Sequence, residues 1–106
     1  MTIVREQKVI KMSDVLNDVY SVICDRKNNP REGSYVTSLF RDPKGLDKVL
    51  EKIGEESTEV IIAAKNGKEN EIVSECADLF FHTMIMLAAK DIPLSRIMEE
   101  FERRKK

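Results

Sequence analysis

The stretch from residue 69 to residue 90 most constrains the fold, because it is apolar around most of a helical circumference. A helix with so little polar surface is normally covered on most sides. One polar stripe interrupts it, with spacings of four, three and four residues: Glu71, Glu75, Asp78 and His82. These side chains are therefore predicted to leave the helix into largely dry surroundings. Ionised carboxylates there need a proton, a basic partner or a bound cation.

Apolar residues at helical spacing predict three further helices. The first begins at Ser13, which can cap it, and ends near Asn28. The second runs from about residue 46 to the Asn-Gly pair at 66–67, and the last begins near Pro93. We therefore predict an all-α fold, a bundle of about four main helices.

The rest of the chain divides into a loop and an N-terminal segment. Residues 28–45 contain Asn-Pro, Glu-Gly and Asp-Pro pairs, which favour a loop, and SYVTSLF (34–40) within it suits one or two helical turns. Residues 1–12 are left unassigned, so the all-α domain is predicted to span 13–106. A chain of 106 residues buries a modest core, which oligomerisation would enlarge.

Charge and composition argue against several classes of function. The net charge is −1, from 18 basic and 19 acidic residues, so no basic field for nucleic acid is indicated. No apolar run reaches the ~18 residues of a membrane span, and the start lacks the apolar core of a signal peptide. Cys24 and Cys76 have no paired metal-ligand spacing, which favours buried, reduced thiols. We expect a cytoplasmic protein without nucleic-acid or membrane partners.

The second predicted helix also carries acids beside its apolar face. On a helical wheel at ~100° per residue, five charged residues fall together: Lys48, Lys52, Glu55, Glu56 and Glu59. Glu56 borders the apolar face directly, and its neighbour one turn on is Glu59. For this helix alone, a solvated face with a Lys52–Glu56 ion pair is the simplest interpretation.

Acidic pairs on two consecutive antiparallel helices point to a metal site. Four carboxylates could then face each other across the groove: Glu56, Glu59, Glu75 and Asp78. Such an all-oxygen site suits Mg²⁺, which favours a few carboxylates, waters and substrate phosphates. A ferritin-like iron site needs Glu-x-x-His, a pattern that His82 does not complete. We interpret His82 as a hydrogen-bonded groove residue, with a ligand or base as the alternative.

The two motifs and their surroundings resemble a known family. Glu56-Ser-Thr-Glu59 and Glu75-Cys-Ala-Asp78 resemble the ExxE and ExxD signature of the all-α nucleoside triphosphate pyrophosphohydrolases of the MazG type. The segments around them resemble the phosphoribosyl-ATP pyrophosphohydrolase family over about residues 14–104: SYVTSLF, KGLDKVLEKIGEESTEVIIAAKNG and ECADLFFHTMIMLAAKDIPLSRIMEEFERR. Cys76 stands where a small residue is usual in that family, and Phe81 where tyrosine is common.

The resemblance implies Mg²⁺-dependent hydrolysis of phosphoribosyl-ATP to phosphoribosyl-AMP and pyrophosphate, the second step of histidine biosynthesis, by a homodimer. It places the metal on Glu56, Glu59, Glu75 and Asp78. It also makes Glu55 an acid that orients a ligand or water. We expect Glu56, with Glu59 second, to take the proton of the attacking water. His82 is expected to support the site from behind these acids.

Several residues are candidates for binding the nucleotide substrate: Lys52, Lys48, Lys44, Arg41, Ser34 and Tyr35. Lys52 is the first choice for the outer phosphates, and Tyr35 offers a stacking ring. Each lysine could instead be simply solvated, and SYVTSLF could be a packed connector.

Two other functions stay open at this point. A pyrophosphohydrolase of the same superfamily that removes noncanonical nucleotides would share the acids and differ in its base pocket. A non-enzymatic helical dimerisation module would pair the acids with basic residues. Mg²⁺ would then leave its thermal stability unchanged.

Overall fold

The computed structural model describes residues 2–5 and 8–105, with side chains described from residue 14 to residue 105. Five helices make up most of this part of the chain: α1 (Met12–Asn28), α2 (Tyr35–Phe40), α3 (Leu46–Asn66), α4 (Glu69–Ala89) and α5 (Leu94–Arg104). The predicted all-α fold is confirmed, with four long helices and a short α2 in the segment where one or two turns were expected.

The N-terminal segment, left unassigned by its pattern, contains a two-stranded antiparallel hairpin. Its strands are β1 (Thr2–Arg5) and β2 (Lys8–Lys11), and Thr2 pairs with Lys11. Both strands have β-branched centres, which suits a pleated sheet. Helix α1 follows at Met12, one residue before the predicted start. The Ser13 side chain, predicted to cap it, lies outside the described side chains.

Helices α3 and α4 form a tight antiparallel pair, which places the two acidic motifs side by side. The predicted stop after α3 is confirmed: Gly67 has a φ of +75° and donates its N–H to the carbonyl of Ala63 at 3.0 Å. Glycine adopts this left-handed conformation without a Cβ clash, so it closes the helix. Only Gly67 and Lys68 separate α3 from α4.

The core lies between α4 and the other helices. Ile23 of α1, Val49 of α3 and Ile85 of α4 are each at most 1% exposed. Six further side chains complete the buried cluster: Val36, Leu39, Met84, Leu87, Ala88 and Leu94. Helix α2 is therefore packed into the core through Val36 and Leu39. Cys24 and Cys76 are free and half-buried.

Helix α4 is less covered than its sequence predicts. Its second half supplies the core, but Val73 is 62% and Phe80 is 57% exposed. The prediction of burial on most sides is therefore wrong within a single chain, since none of residues 69–79 is buried and Phe80 is exposed as well. By length and composition alone this helix could cross a membrane. Core helices of soluble proteins meet the same criterion.

Candidate active site

Three acidic side chains from α3 and α4 converge in the groove between these helices. Glu56 comes from α3, and Glu75 and Asp78 come from α4. Each offers a carboxylate oxygen, and these oxygens all lie within 4.8 Å of one another. Three of the four acids that the sequence singled out as metal ligands are thus brought together.

Two of these acids hold oxygen atoms that lack hydrogen-bond donors. Glu56 is 6% exposed, and among the described residues neither its Oε2 nor the buried Oε2 of Glu75 finds a partner. A buried carboxylate oxygen without a donor is costly to maintain. Asp78 is exposed, so solvent reaches the group from one side. The expectation of largely dry surroundings for the acidic stripe of α4 therefore holds for His82, which is 5% exposed, and is wrong for Glu71 and Asp78, which are exposed.

Glu59, the fourth predicted acid, is exposed and borders the three-acid group. A proton shared with Glu59, together with desolvation and the neighbouring negative charges, raises the pKa of Glu75 to about 7. The same contact with Glu75, followed by one with Glu56, lowers the pKa of Glu59. Burial, then a hydrogen bond to Glu59, raises the pKa of Glu56. With no cation bound, the carboxyl groups of Glu56 and Glu75 are therefore harder to ionise than ordinary ones, whereas that of Glu59 is easier to ionise.

His82 lies directly behind the acids and is 5% exposed. Its Nδ1 lies 2.9 Å from the backbone carbonyl oxygen of Asp78, which can only accept, so Nδ1 carries the hydrogen. In the neutral ring, Nε2 is then free to accept the hydroxyl hydrogen of Tyr35 at 2.8 Å. Nδ1 also lies 3.9 Å from Oε1 of Glu56. The histidine thus connects α2 to the acidic group.

The Tyr35 ring is held by this hydrogen bond and by its aromatic neighbours. It stacks on Phe81 with centroids 6.5 Å apart and meets His82 edge-on at 5.7 Å. The residue is nevertheless 47% exposed, so part of the ring faces the solvent. Burial of the rest raises the pKa of its hydroxyl. A fixed, partly open aromatic ring is suited to stacking on a base.

Lys52 and Glu55 form an ion pair beside the acids. Lys52 Nζ lies 3.6 Å from Glu55 Oε2, and the lysine side chain is 27% exposed. Burial alone would lower the pKa of Lys52, but Tyr35, Glu55 and Glu56 together raise it. Lys52 therefore stays charged next to the acidic group. The alternative interpretation paired Lys52 with Glu56, whereas the structure pairs it with Glu55.

The other substrate-binding candidates either bond neighbouring residues or form no ion pair among the described residues. Lys44 bonds Glu51 at 3.0 Å, and the Ser34 hydroxyl accepts the N–H of Thr37 at 3.2 Å to cap α2. Arg41 is exposed and ends α2, and Lys48 is half-buried on α3. Neither Arg41 nor Lys48 forms an ion pair within residues 14–105.

Tyr35 and His82 are both predicted site residues, but the contact between them does not follow from the sequence. The two residues are 47 positions apart, and no local motif links them. The only sequence signal was the position of His82 on the same stripe as Glu75 and Asp78.

Comparison with known proteins agrees with the motif resemblance. The profile of the phosphoribosyl-ATP pyrophosphohydrolase family matches residues 16–105. A protein of Methanocella arvoryzae named phosphoribosyl-ATP pyrophosphatase is 75% identical over 95 residues, covering 90% of this chain and 100% of the relative. Relatives of the same name from Methanococcoides burtonii and Listeria monocytogenes are 55% and 53% identical. They cover 86% and 85% of this chain, and 92% and 84% of their own length. The chain therefore belongs to the phosphoribosyl-ATP pyrophosphohydrolase family and is a hydrolase.

Proposed function

We propose that this chain hydrolyses phosphoribosyl-ATP to phosphoribosyl-AMP and pyrophosphate, the second step of histidine biosynthesis, with Mg²⁺ held between α3 and α4. The observation that carries the proposal is the convergence of Glu56, Glu75 and Asp78, with oxygens within 4.8 Å of one another. Phosphoribosyl-ATP is the substrate in the names of the similar proteins. Acids that hold a divalent cation provide the charge neutralisation that cleavage of a phosphoanhydride needs.

The three acids fit a hard divalent cation. Opposite ligands of Mg²⁺, each at about 2.1 Å, are about 4.2 Å apart. The carboxylate oxygens of the three acids lie within 4.8 Å of one another, which is slightly wider than this separation. A small side-chain rotation would therefore bring them to ligand distance. The Oε2 atoms of Glu56 and Glu75, which have no hydrogen-bond donor among the described residues, are available as metal ligands. Glu59 borders them as a fourth carboxylate.

The acidic residues have different roles in the proposed hydrolysis. A bound Mg²⁺ would neutralise charge on the phosphate oxygens and favour departure of pyrophosphate. Glu59 stands outside the three-acid group and is exposed, so it can accept the proton of the attacking water. This reverses the order in which we expected Glu56 and Glu59 to act. The water oxygen bonds phosphorus, and the cleaved P–O bond leaves its electron pair on pyrophosphate.

Two further residues are assigned to substrate binding. Lys52 stays charged beside the acids, where it can meet an outer phosphate, while its ion pair with Glu55 fixes its direction. Tyr35 offers its open ring face to the purine. Lys44 and Ser34 are engaged elsewhere, so we rank them below these two, together with Arg41 and Lys48.

We also propose that the chain acts as a cytoplasmic homodimer. Phe80 of α4 and Phe101 of α5 are 57% and 64% exposed, and both line an apolar groove of about 340 Å³. Exposed apolar surface of this kind favours a protein partner. A second copy could cover it together with the first half of α4. Sedimentation velocity should give twice the mass of the chain, and a monomer at all concentrations would contradict the proposal.

A pyrophosphate-release assay tests the reaction. The purified chain should release pyrophosphate from phosphoribosyl-ATP with Mg²⁺ and not with EDTA. Asp78→Asn should abolish release, whereas Asp47→Asn, at the exposed start of α3, should not. Rapid turnover of dCTP or dUTP with none of phosphoribosyl-ATP would favour the enzyme that removes noncanonical nucleotides. No release from any of them, with a stability unchanged by Mg²⁺, would favour a dimerisation module.

A further inference from the structure

A cavity of about 370 Å³ lies next to Tyr35, away from the acids. It is lined by residues of α1, the following loop and α2, among them Arg26, Arg31, Glu32 and Tyr35. None of the four acids of the groove lines it. Tyr35 borders the cavity while its hydroxyl reaches His82, which lies 3.9 Å from Glu56. Tyr35 therefore borders this cavity and contacts, through His82, the proposed catalytic groove.

Two arginines, Arg26 and Arg31, are among the residues that line the cavity. Arg31 forms no ion pair within residues 14–105. Arg26 is 21% exposed and bonds the half-exposed Asp25 at 2.6 Å. Glu32 is the one acid among the lining residues. Because Asp25 is half exposed, a doubly charged phosphate can compete with it for the Arg26 guanidinium.

The loop that carries Arg31 is held in a fixed turn. The Ser34 N–H donates to the Arg31 carbonyl at 3.1 Å, and the Arg31 N–H donates to the Thr37 hydroxyl at 3.0 Å. Gly33 has a φ of +82°, which favours glycine at this point of the turn. Thr37 is buried in α2, so the loop is anchored to the core. The backbone at Arg31 is therefore largely set before any ligand arrives.

Phosphoribosyl-ATP carries phosphates on both sides of its purine, unlike an ordinary nucleoside triphosphate. If its triphosphate meets the acids and its purine meets Tyr35, the ribose 5-phosphate on the other side must find a separate place. We propose that Arg26 and Arg31 bind this second phosphate in the cavity beside Tyr35. Guanidinium groups suit this ligand because they bond phosphate oxygens through paired N–H groups. The inference rests on the proposed function and adds a basis for substrate choice.

Direct binding separates this inference from catalysis. We would measure dissociation constants by calorimetry, with EDTA present, for phosphoribosyl-AMP and for the same compound lacking only the phosphate on the second ribose. The parent chain should bind the phosphorylated compound at least about tenfold more tightly. Arg31→Met and Arg26→Met should each reduce this preference by about tenfold, since methionine keeps much of the stem and loses the charge.

Two further variants control for folding and general charge. Arg96→Met, at an exposed site of α5, should keep the full preference. Glu32→Gln should increase it, because a negative charge leaves the cavity. Equal binding of both compounds by the parent, or an unchanged preference in both arginine variants, would overturn the inference. A Glu32→Gln variant without tighter binding would also count against it.

Turnover by the parent chain distinguishes a failure of the phosphate-binding inference from a failure of the proposed function. If the parent releases pyrophosphate from phosphoribosyl-ATP but both arginine variants keep its KM, the function stands and the second phosphate binds elsewhere. If the parent shows no turnover yet its binding preference is lost in the arginine variants, the cavity binds the phosphate and the proposed reaction fails.

Discussion

Replacing Glu56 with glutamine should stabilise the protein without metal and remove its response to Mg²⁺. Glu56 is 6% exposed, and its Oε2 has no donor among the described residues. Burial and the nearby Glu59 and Asp78 raise its pKa, which shows that its charge is disfavoured. Glutamine keeps the shape, removes the charge and can donate its amide to a neighbouring carboxylate.

The expected size of the effect follows from burial of an uncompensated charge. Such a carboxylate costs several kcal/mol in a closed interior, but this groove is open beside Glu59, and screening reduces the gain to about 1–2 kcal/mol. For a domain of about this length, that corresponds to a Tm increase of about 4–16 °C. Because a raised carboxyl pKa removes stability as the pH rises through it, the difference should be largest above neutral pH.

Thermal unfolding followed by circular dichroism, with EDTA and then with Mg²⁺, measures both effects. At alkaline pH with EDTA, Glu56→Gln should unfold at a higher temperature than the parent, and Mg²⁺ should raise the Tm of the parent only. Glu69→Gln, an exposed acid in the first turn of α4, is the matched control and should keep the Mg²⁺ response. A lower Tm for Glu56→Gln in EDTA, or an undiminished response to Mg²⁺, would refute the reasoning.

Other perturbations test the remaining parts of the site. Because the pKa of Glu75 is about 7 and Mg²⁺ needs its ionised form, calorimetry should show Mg²⁺ affinity falling by about tenfold per pH unit below that value. Without metal, the stability contributed by protonated Glu75 should be lost as the pH rises through about 7. A Mg²⁺ affinity and a free energy of unfolding that do not change with pH would contradict these two predictions. Tyr35→Phe removes the hydrogen bond to His82 and should lower the free energy of unfolding in urea by about 1 kcal/mol while keeping KM, whereas Tyr35→Ala should raise KM. Lys52→Ala should raise KM or slow turnover, and Lys44→Ala, which loses a bond to Glu51, should leave kinetics unchanged.

The paired helices and the position of Glu56 could be predicted because both depend on local patterns. The Asn-Gly pair at 66–67 ends α3 at the predicted place, and Gly67 has the left-handed backbone that this ending requires. Glu56 borders the apolar face on a helical wheel, and the structure buries it to 6% exposure. Periodicity fixes which face a side chain shares, so it also placed Glu75 and Asp78 on the same stripe.

Contacts that depend on tertiary packing could not be predicted in this way. The hydrogen bond between Tyr35 and His82 needs α2 to be docked against α4. Ser34 and Lys44 were candidates for the substrate, but nearer partners use their polar groups. The hairpin before α1 had too short a pattern to be assigned, and hydrophobicity alone could not show that the first half of α4 is exposed.

Diffraction from crystals of the protein soaked in Mn²⁺, a Mg²⁺ substitute with an anomalous signal, tests the central claim most directly. The account predicts an anomalous peak in the groove between α3 and α4, within bonding distance of carboxylate oxygens of Glu56, Glu75 and Asp78. The absence of a peak in this groove, with the same oxygens turned apart into solvent, would contradict it.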